Sequence, residues 1–472
     1  MARTLREVGR GRSRPLGFVA TVILVLGLAA TGFGDPVPGA GLRAADVLAL
    51  ATRFAEFSDS LPDASLLGVD EIVAFEEHKV FACVVGCAPK GPGAGGGAPP
   101  LVRRVIFLKP STFVVDSQMP AGARWVLRSR GRPEIDGRRV RIDEGDATLL
   151  CETLLPQGAA PKAAPDEAGG HVVEVTPQES SGVARFLHVI YTGGDAAGAP
   201  RAEAVSNDGL AQVTVTAGDS TFQLSLPAGQ ADAGTIAVSK ADGQAVLARR
   251  LLPAGILPHG PKGVAMLERW DRPYHGDRRP GWDVGRPSSH LKKAVEDGAV
   301  RPGRAVILGC GSGTNAVYLA EKGFDVTAID IAPAALGRGE EKARQAGVRV
   351  RWVLADVLAP PPLGAFDFIF DRGCYHHVRR LDAAGFVKAV CGLARGGTQF
   401  LILAGNANET GRGGPPRVKE EEIRGDFSAL FDFQWLREVR FDTPDPARQG
   451  ALAWSVLLRR KAEEKPAESK AK

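Results

Sequence analysis

The sequence predicts a multidomain chain in which an all-β half precedes an α/β half built on a parallel sheet. Three observations carry this. At 472 residues the chain exceeds what one apolar core usually supports. From about Ala45 to Pro258, short apolar runs of strand length follow one another between turn residues, and helical periodicity is confined to "ADVLALATRFAEF". After Pro258, strand and helix patterns alternate, as a parallel sheet covered on both faces requires.

At the N-terminus Arg3, Arg6, Arg10, Arg12 and Arg14 precede an uncharged run over 15–34. That is the layout of an export signal, and the run is also long enough to stay as a single membrane anchor with its arginines inside. Residues 1–35 are therefore expected to be a signal peptide or N-terminal anchor, with the remainder in the cell envelope; a mis-assigned start would leave the chain cytoplasmic. A net charge of +5 over this length makes no basic stripe, so nucleic acid is not implied. Cys83 and Cys87, if extended, stand about 13 Å apart, beyond the roughly 7 Å that a disulfide spans. Cys151 is a candidate partner for one of them, while Cys310, Cys374 and Cys391 read as buried free thiols.

The β half reads, in order, as "KVFACVVGC", "VRRVIFLKPSTFVVD", "ARWVLRSRG", "RRVRIDEGDATLLCETLLP", "ARFLHVIYTG", "AQVTVTAGDSTFQLSLP" and "GTIAVSKADGQAVLARRLLP". Val213 and Val215, then Phe222, Leu224 and Leu226, alternate with polar residues, which predicts a hairpin with one solvated face. By contrast "VIFLKPSTFVV" is apolar on both faces and predicts strands held between two layers. The stretches "APKGPGAGGGAPP" and "PQGAAPKAAPDEAGG" read as loops. Through "VRRVIFLKPSTFVVDSQMP", "WVLRSRGRPEIDGRRVRIDEGDATLLCETLLP" and "ARFLHVIYTGG", residues 45–258 resemble the β-sandwich domain of heparinase II/III-like proteins. The resemblance implies a sandwich that contacts glycan or serves as scaffold; the chain has no room for the helical toroid that supplies much of that family's lyase site. His78, His171 and His188 are expected to pack or be solvated on strands, and no metal is assigned.

In the α/β half "AVILGCG", "DVTAIDI", "RVRWVLAD", "FDFIFDRG", "TQFLILAG", "WLREVRFDT" and "ALAWSVLLRR" read as seven strands, and "GTNAVYLAEKG", "PAALGRGEEKARQAG" and "DAAGFVKAVCGLARG" as helices; 461–472 reads as a disordered tail. Ligands of open α/β sheets sit beyond the carboxyl ends of the strands, where a glycine-rich first turn lets the backbone approach them. Gly309, Gly311 and Gly313 occupy that turn. Their spacing is G-x-G-x-G, with Thr314 where a dinucleotide fingerprint needs glycine, so a pyrophosphate is the weaker expectation. Asp330, ending the second strand, is placed to accept both hydroxyls of an adenosine ribose, and Asp356, after the third, the exocyclic amine of adenine.

Residues 262–460 resemble, in "ILGCGSGTN", Asp330, "ADV" and "FDFIFDRGCYHHV", the class I S-adenosylmethionine-dependent methyltransferases, which have a Rossmann-like seven-stranded fold. The upstream "WDRPYHGDRRPGWDVGRPSSHL" is similar to the segment that closes an aromatic lid in thiopurine, thiol and halide methyltransferases and tellurite-resistance-type enzymes; its positions are Trp270, Tyr274, Trp282, Asp283 and Gly285. The resemblance implies S-adenosyl-L-methionine as cofactor, held by Trp282, Gly309, Gly311, Gly313, Asp330, Ile331, Asp356, Val357 and Asp371. One departure is Leu308, where many members carry an acidic residue, so anchoring of the methionine end is expected from the loop backbone and Asp371. A small-molecule acceptor is implied, with a soft sulfur, selenium or tellurium nucleophile expected; a sugar hydroxyl, or cofactor binding without turnover, are the alternatives. Asp371, Tyr375 and His376 are the expected catalytic residues. If the turn is extended, His376 and His377 cannot both face one pocket. Asn406, Asn408 and Arg412 are expected on the substrate rim.

Overall fold

The computed structural model describes residues 42–462, apart from 54–60, 68, 89–100, 121, 167–168, 178–182, 195–197, 229–232 and 446. The expected signal or anchor, the loop over 89–100 and all but the first two residues of the expected tail lie outside the described residues. No helix among the described residues is long and apolar enough to cross a membrane.

The central sheet of the β half has eight antiparallel strands, in the order Glu71–Glu77, Phe81–Ala88, Leu101–Leu108, Thr112–Pro120, Val183–Gly193, Ala147–Leu155, Arg139–Glu144 and Glu134–Asp136. Successive side chains along a strand point to opposite faces. Val84, Phe107, Phe113 and Val115 therefore pack, with the helix Ala44–Arg53, against Trp125, Leu127 and Val173 of a four-stranded sheet. Their neighbours Phe81, Ile106, Leu108 and Val114 pack on the other side against Val213, Val215, Phe222 and Leu224 of a five-stranded meander. A sandwich was expected; because the central strands are apolar on both faces, a third sheet covers the second face. Cys83 and Cys151 join clusters on opposite faces of the central sheet and cannot pair, and all six cysteines are free. Cys374 and Cys391 are only half-buried. The expected loop over 156–170 contains the strand Lys162–Pro165, fully exposed and paired along one edge with His171–Val175. Such a strand needs only its backbone, which apolar patterning does not register.

The parallel sheet takes seven strands on one path: β1 (Arg304–Leu308), β2 (Asp325–Asp330), β3 (Arg351–Leu354), β4 (Phe366–Arg372), β5 (Ala394–Asn406), β6 (Phe431–Arg440) and β7 (Leu452–Arg460), in the order 3-2-1-4-5-7-6. An eighth, the two-residue strand Arg417–Val418, pairs with β5. β1 to β5 are parallel and β7 runs antiparallel between β5 and β6. Both faces of β1 are buried, Ala305 and Ile307 in one apolar cluster and Val306 and Leu308 in the other. The helices are α1 (Gly260–Asp271), α2 (Ser289–Glu296), α3 (Thr314–Glu321), α4 (Pro333–Ala346), α5 (Tyr375–Leu393) and α6 (Glu420–Phe427). α4 follows terminus chemistry closely, with Pro333 in its first turn and Gly347 in a left-handed conformation just past its end. α5 starts seven residues before the expected "DAAGFVKAVCGLARG" helix over 382–396, taking in "YHHVRRL", because the strand end itself turns at Gly373. Asp382 breaks α5 with non-helical dihedrals and accepts the Gly385 N–H at 2.8 Å, capping its second segment.

Residues 254–257 stitch the halves. The Ala254 N–H donates to the Leu354 carbonyl at the end of β3, and the Leu257 N–H to Phe75 of the central β sheet. Both cores lie within one compact unit.

Candidate functional site

The first turn after β1 is built by Gly309, Gly311 and Gly313, at φ +60°, +55° and +74°. This left-handed region strains residues that carry a Cβ. Space forbids side chains as well: a Cβ on Gly309 would stand 2.7 Å from that of Cys374, and one on Gly311 2.9 Å from the Tyr274 hydroxyl. The loop is pinned to β2 through Asp330, whose Oδ2 accepts the Gly311 N–H at 2.7 Å and whose Oδ1 accepts the Ala332 N–H at 2.9 Å. Burial pushes this carboxyl up to about 6, against the pull of the backbone N–H groups of Ala332, Gly311 and Ile331. Two carboxylate oxygens offer four lone pairs, so the three N–H groups leave acceptor capacity for a further donor.

An aromatic arc crosses the carboxyl ends of the strands. The Tyr274 hydroxyl accepts the Trp282 Nε1–H at 2.9 Å, Trp282 meets Trp270 edge to face at 6.0 Å, Trp270 meets His377 at 4.8 Å, and His377 lies 4.8 Å from His376. The segment carrying it is tied down twice. Asp271 accepts the Ala334 N–H at the start of α4. Asp283 accepts the Ser312 hydroxyl at 2.6 Å, while Lys342 donates to Ser312 and Thr314 at 2.6 and 2.7 Å. The arc thus starts on the glycine loop and ends beside β5, where His376 Nδ1 accepts the Gly405 N–H at 2.9 Å.

Comparison with known proteins agrees with this geometry. A family described as a methyltransferase domain matches residues 305–397. Over 160 residues the chain is 29% identical to 2-heptyl-1-hydroxyquinolin-4(1H)-one methyltransferase of Mycobacteroides abscessus, covering 33% of this chain and 70% of that protein. Over 153 residues it is 30% identical to Probable thiol methyltransferase 2 of Arabidopsis thaliana, covering 31% of this chain and 65% of that protein. Over 104 residues it is 30% identical to Thiocyanate methyltransferase 1 of the same plant, covering 22% and 45%. The chain carries an S-adenosylmethionine-dependent methyltransferase domain. The last two of these relatives are matched over less than two thirds of their length.

The residues of the methyltransferase domain suit this cofactor. Gly311 keeps the turn backbone bare under the Tyr274 hydroxyl, Asp330 keeps acceptor capacity beside it, and the tryptophans are aromatic groups of the kind that attract a sulfonium. When bound, S-adenosylmethionine supplies the electrophilic methyl group; orientation and exclusion of water fall to this chain's own side chains. Asp356 Oδ1 accepts the Leu358 N–H at 2.9 Å, and burial raises its pKa. Ile331 and Val357 pack into the apolar clusters on the two sides of the sheet. Trp282, between Tyr274 and Trp270 in the arc, is 48% exposed.

The expected catalytic trio is not brought together as three reactive groups. Asp371 is fully buried and accepts the Cys374 and Tyr375 N–H groups at 3.1 and 2.9 Å, so it caps α5; burial pushes it up to about 7. Tyr375 turns into the core between Phe386 and Phe427, donating to Asp426 at 2.7 Å. His376 is buried, which holds its pKa down to about 3, and its Nδ1 is already an acceptor. The turn is helical, and that is why both histidines reach the arc. Asn406 and Asn408, expected on the rim, both donate to Glu438 at 3.0 Å and fasten β5 to β6, while Arg412 is exposed. The sequence reading missed the Lys342 latch and Arg372. Lys342 shares a face of α4 with Arg338 at four-residue spacing, a faint signal. Arg372 lies inside the motif that supplied Asp371.

His78 stacks on Phe81, and His188, stacked on Trp125 at 3.6 Å, meets Thr153 Oγ1 at 3.2 Å. Among the described residues no cluster of three or more His, Cys, Asp or Glu is arranged to hold a metal.

Proposed function

We propose that the domain methylates a small soft nucleophile of the sulfur, selenium or tellurium type. The observation that carries this is the aromatic arc over the carboxyl ends of β1, β4 and β5 beside side chains that are already engaged: Asp371 caps a helix, Tyr375 faces the core, and the His376 Nδ1 lone pair is occupied. A sugar hydroxyl needs its proton removed during transfer, whereas a thiolate or selenide does not. The thiol and thiocyanate methyltransferases among the relatives support the same acceptor chemistry.

The test is to supply the full chain with S-adenosylmethionine and a panel of thiols, thiocyanate, a selenol and simple sugars. Methyl thioethers or selenides are expected. Methylation confined to sugars would overturn the reading, and cofactor binding with no product from any acceptor would replace it with a glycan-binding envelope protein. For the β half, the likeness to heparinase II/III-like sandwiches suggests a scaffold that contacts glycan. The arginine-led, apolar N-terminus suggests export to or anchoring in the cell envelope, which fractionation with a C-terminal reporter checks; a cytoplasmic reporter contradicts it.

A further inference from the structure

Arg372 is the last residue of β4, at the carboxyl end of the strand, and is half-buried. Its Nη1 donates to the Trp282 carbonyl at 3.2 Å, and its guanidinium stands 5.4 Å over the Phe441 ring. Among the described residues it forms no ion pair; Asp283, Asp442 and Tyr274 face it from further away. A guanidinium has five N–H donors, so most of this one is uncommitted. His376 flanks the same Phe441 ring at 6.2 Å, and Arg372 and His377 are the charged and titratable groups that face it. Because its Nδ1 accepts a backbone N–H, the neutral ring carries its proton on Nε2. That N–H meets no acceptor among the described residues, and it borders Gly373, where a Cβ would lie 3.6 Å away.

We propose that Arg372 and the Nε2–H of His376 receive the negative charge of a methyl acceptor that arrives already deprotonated, a thiolate or thiocyanate-type anion. The inference rests on the soft-acceptor reading and adds the acceptor's charge. In the transfer, a lone pair on the acceptor sulfur forms the new S–CH3 bond, and the pair of the broken C–S⁺ bond stays on the cofactor sulfur. A thiolate and a sulfonium thereby become two neutral thioethers, and no proton moves. Here His376 is a donor and not a base, and Arg372 selects acceptors by charge.

The test uses the full chain with two probes: thiocyanate, charged at every pH used, and thiophenol, charged only above its own pKa. Calorimetry of thiocyanate against protein saturated with S-adenosylhomocysteine reads binding apart from turnover. Arg372→Met should weaken thiocyanate binding roughly 30-fold, the loss of one hydrogen bond to a charged group, Arg372→Lys less, with S-adenosylhomocysteine affinity unchanged in both as the control for folding. The kcat/KM profile should be flat for thiocyanate and should rise through the acceptor's own pKa for thiophenol. Equal thiocyanate binding by wild type and Arg372→Met overturns the inference, and so does a profile set by an enzyme group that His377→Gln removes. If nothing is methylated but thiocyanate binding still depends on Arg372, the soft-acceptor reading fails and the anion site stands.

Discussion

The central sheet of the β half and the parallel sheet of the α/β half are both apolar on two faces, yet they treat charged side chains differently. In the β half, buried charge is tied off. Asp116 is held by Arg104 at 3.3 Å and by both Nε and Nη2 of Arg185 at 2.9 Å, and Glu76 is paired with Arg250 at 2.6 Å. In the α/β half, polar groups collect beyond the strand ends and keep capacity to spare: the remaining lone pair of Asp330, the Nε2–H of His376, the uncommitted N–H groups of Arg372. Burial alone does not separate the two. His188 and His376 are both held down to about 3, but one is packed under a tryptophan and the other borders the crevice. What marks the functional site is unspent hydrogen-bonding capacity next to a backbone that allows close approach.

The largest expected effect tests the closed side of that contrast. Glu76→Ala leaves the Arg250 guanidinium buried without its carboxylate and should cost about 3–5 kcal/mol of stability in denaturant unfolding, with S-adenosylhomocysteine affinity unchanged. A matching loss of affinity would show that the halves are coupled and would break the contrast.

Protonation tests the open side. Burial pushes the Asp330 carboxyl up to about 6 in the free protein, and the proposed ribose contact uses its ionised form, so that contact would lower its pKa on binding. Affinity for S-adenosylhomocysteine should therefore be constant well above pH 6 and weaken on acidification, by about tenfold per pH unit below it. A flat titration down to pH 5 would remove Asp330 from the ligand.

A smaller effect is expected at Trp282. Trp282→Ala should weaken S-adenosylmethionine by up to about tenfold and S-adenosylhomocysteine, whose sulfur is neutral, less, because only the sulfonium gains from the ring's negative face. Equal losses would assign Trp282 to packing. The smallest is at the junction of the halves, where Lys79 and Glu268 meet at 2.6 Å but are both exposed. Lys79→Ala should change stability by less than about 1 kcal/mol; a larger loss would make the surface contact part of the coupling.

Much of the fold was legible because it rests on local pattern. Alternation in the Val213–Leu226 hairpin, two-sided apolarity around Phe107 and Phe113, and the glycine turn ahead of Asp330 each carry their geometry in a few consecutive residues. What escaped depends on distant partners. The third β layer follows from which sheet covers which face, and the Lys162–Pro165 strand from backbone pairing with His171–Val175. The site divides along the same line. Loop and carboxylate were readable, whereas the Tyr375 side chain was aimed by Asp426 and the His376 tautomer by the Gly405 N–H, both far along the chain. Helical geometry from Tyr375 also turned two adjacent histidines toward one arc, against the expectation for an extended turn.

The central claim is that the glycine turn and the Asp330 carboxylate together hold the adenosine of the methyl donor. Calorimetry of the full chain with S-adenosylhomocysteine, wild type against Asp330→Ala, tests it most directly. Micromolar-range binding by the wild type, weakened about 100-fold or more by the loss of hydrogen bonds to a charged carboxylate, is the predicted result; equal affinity in the two proteins would contradict it.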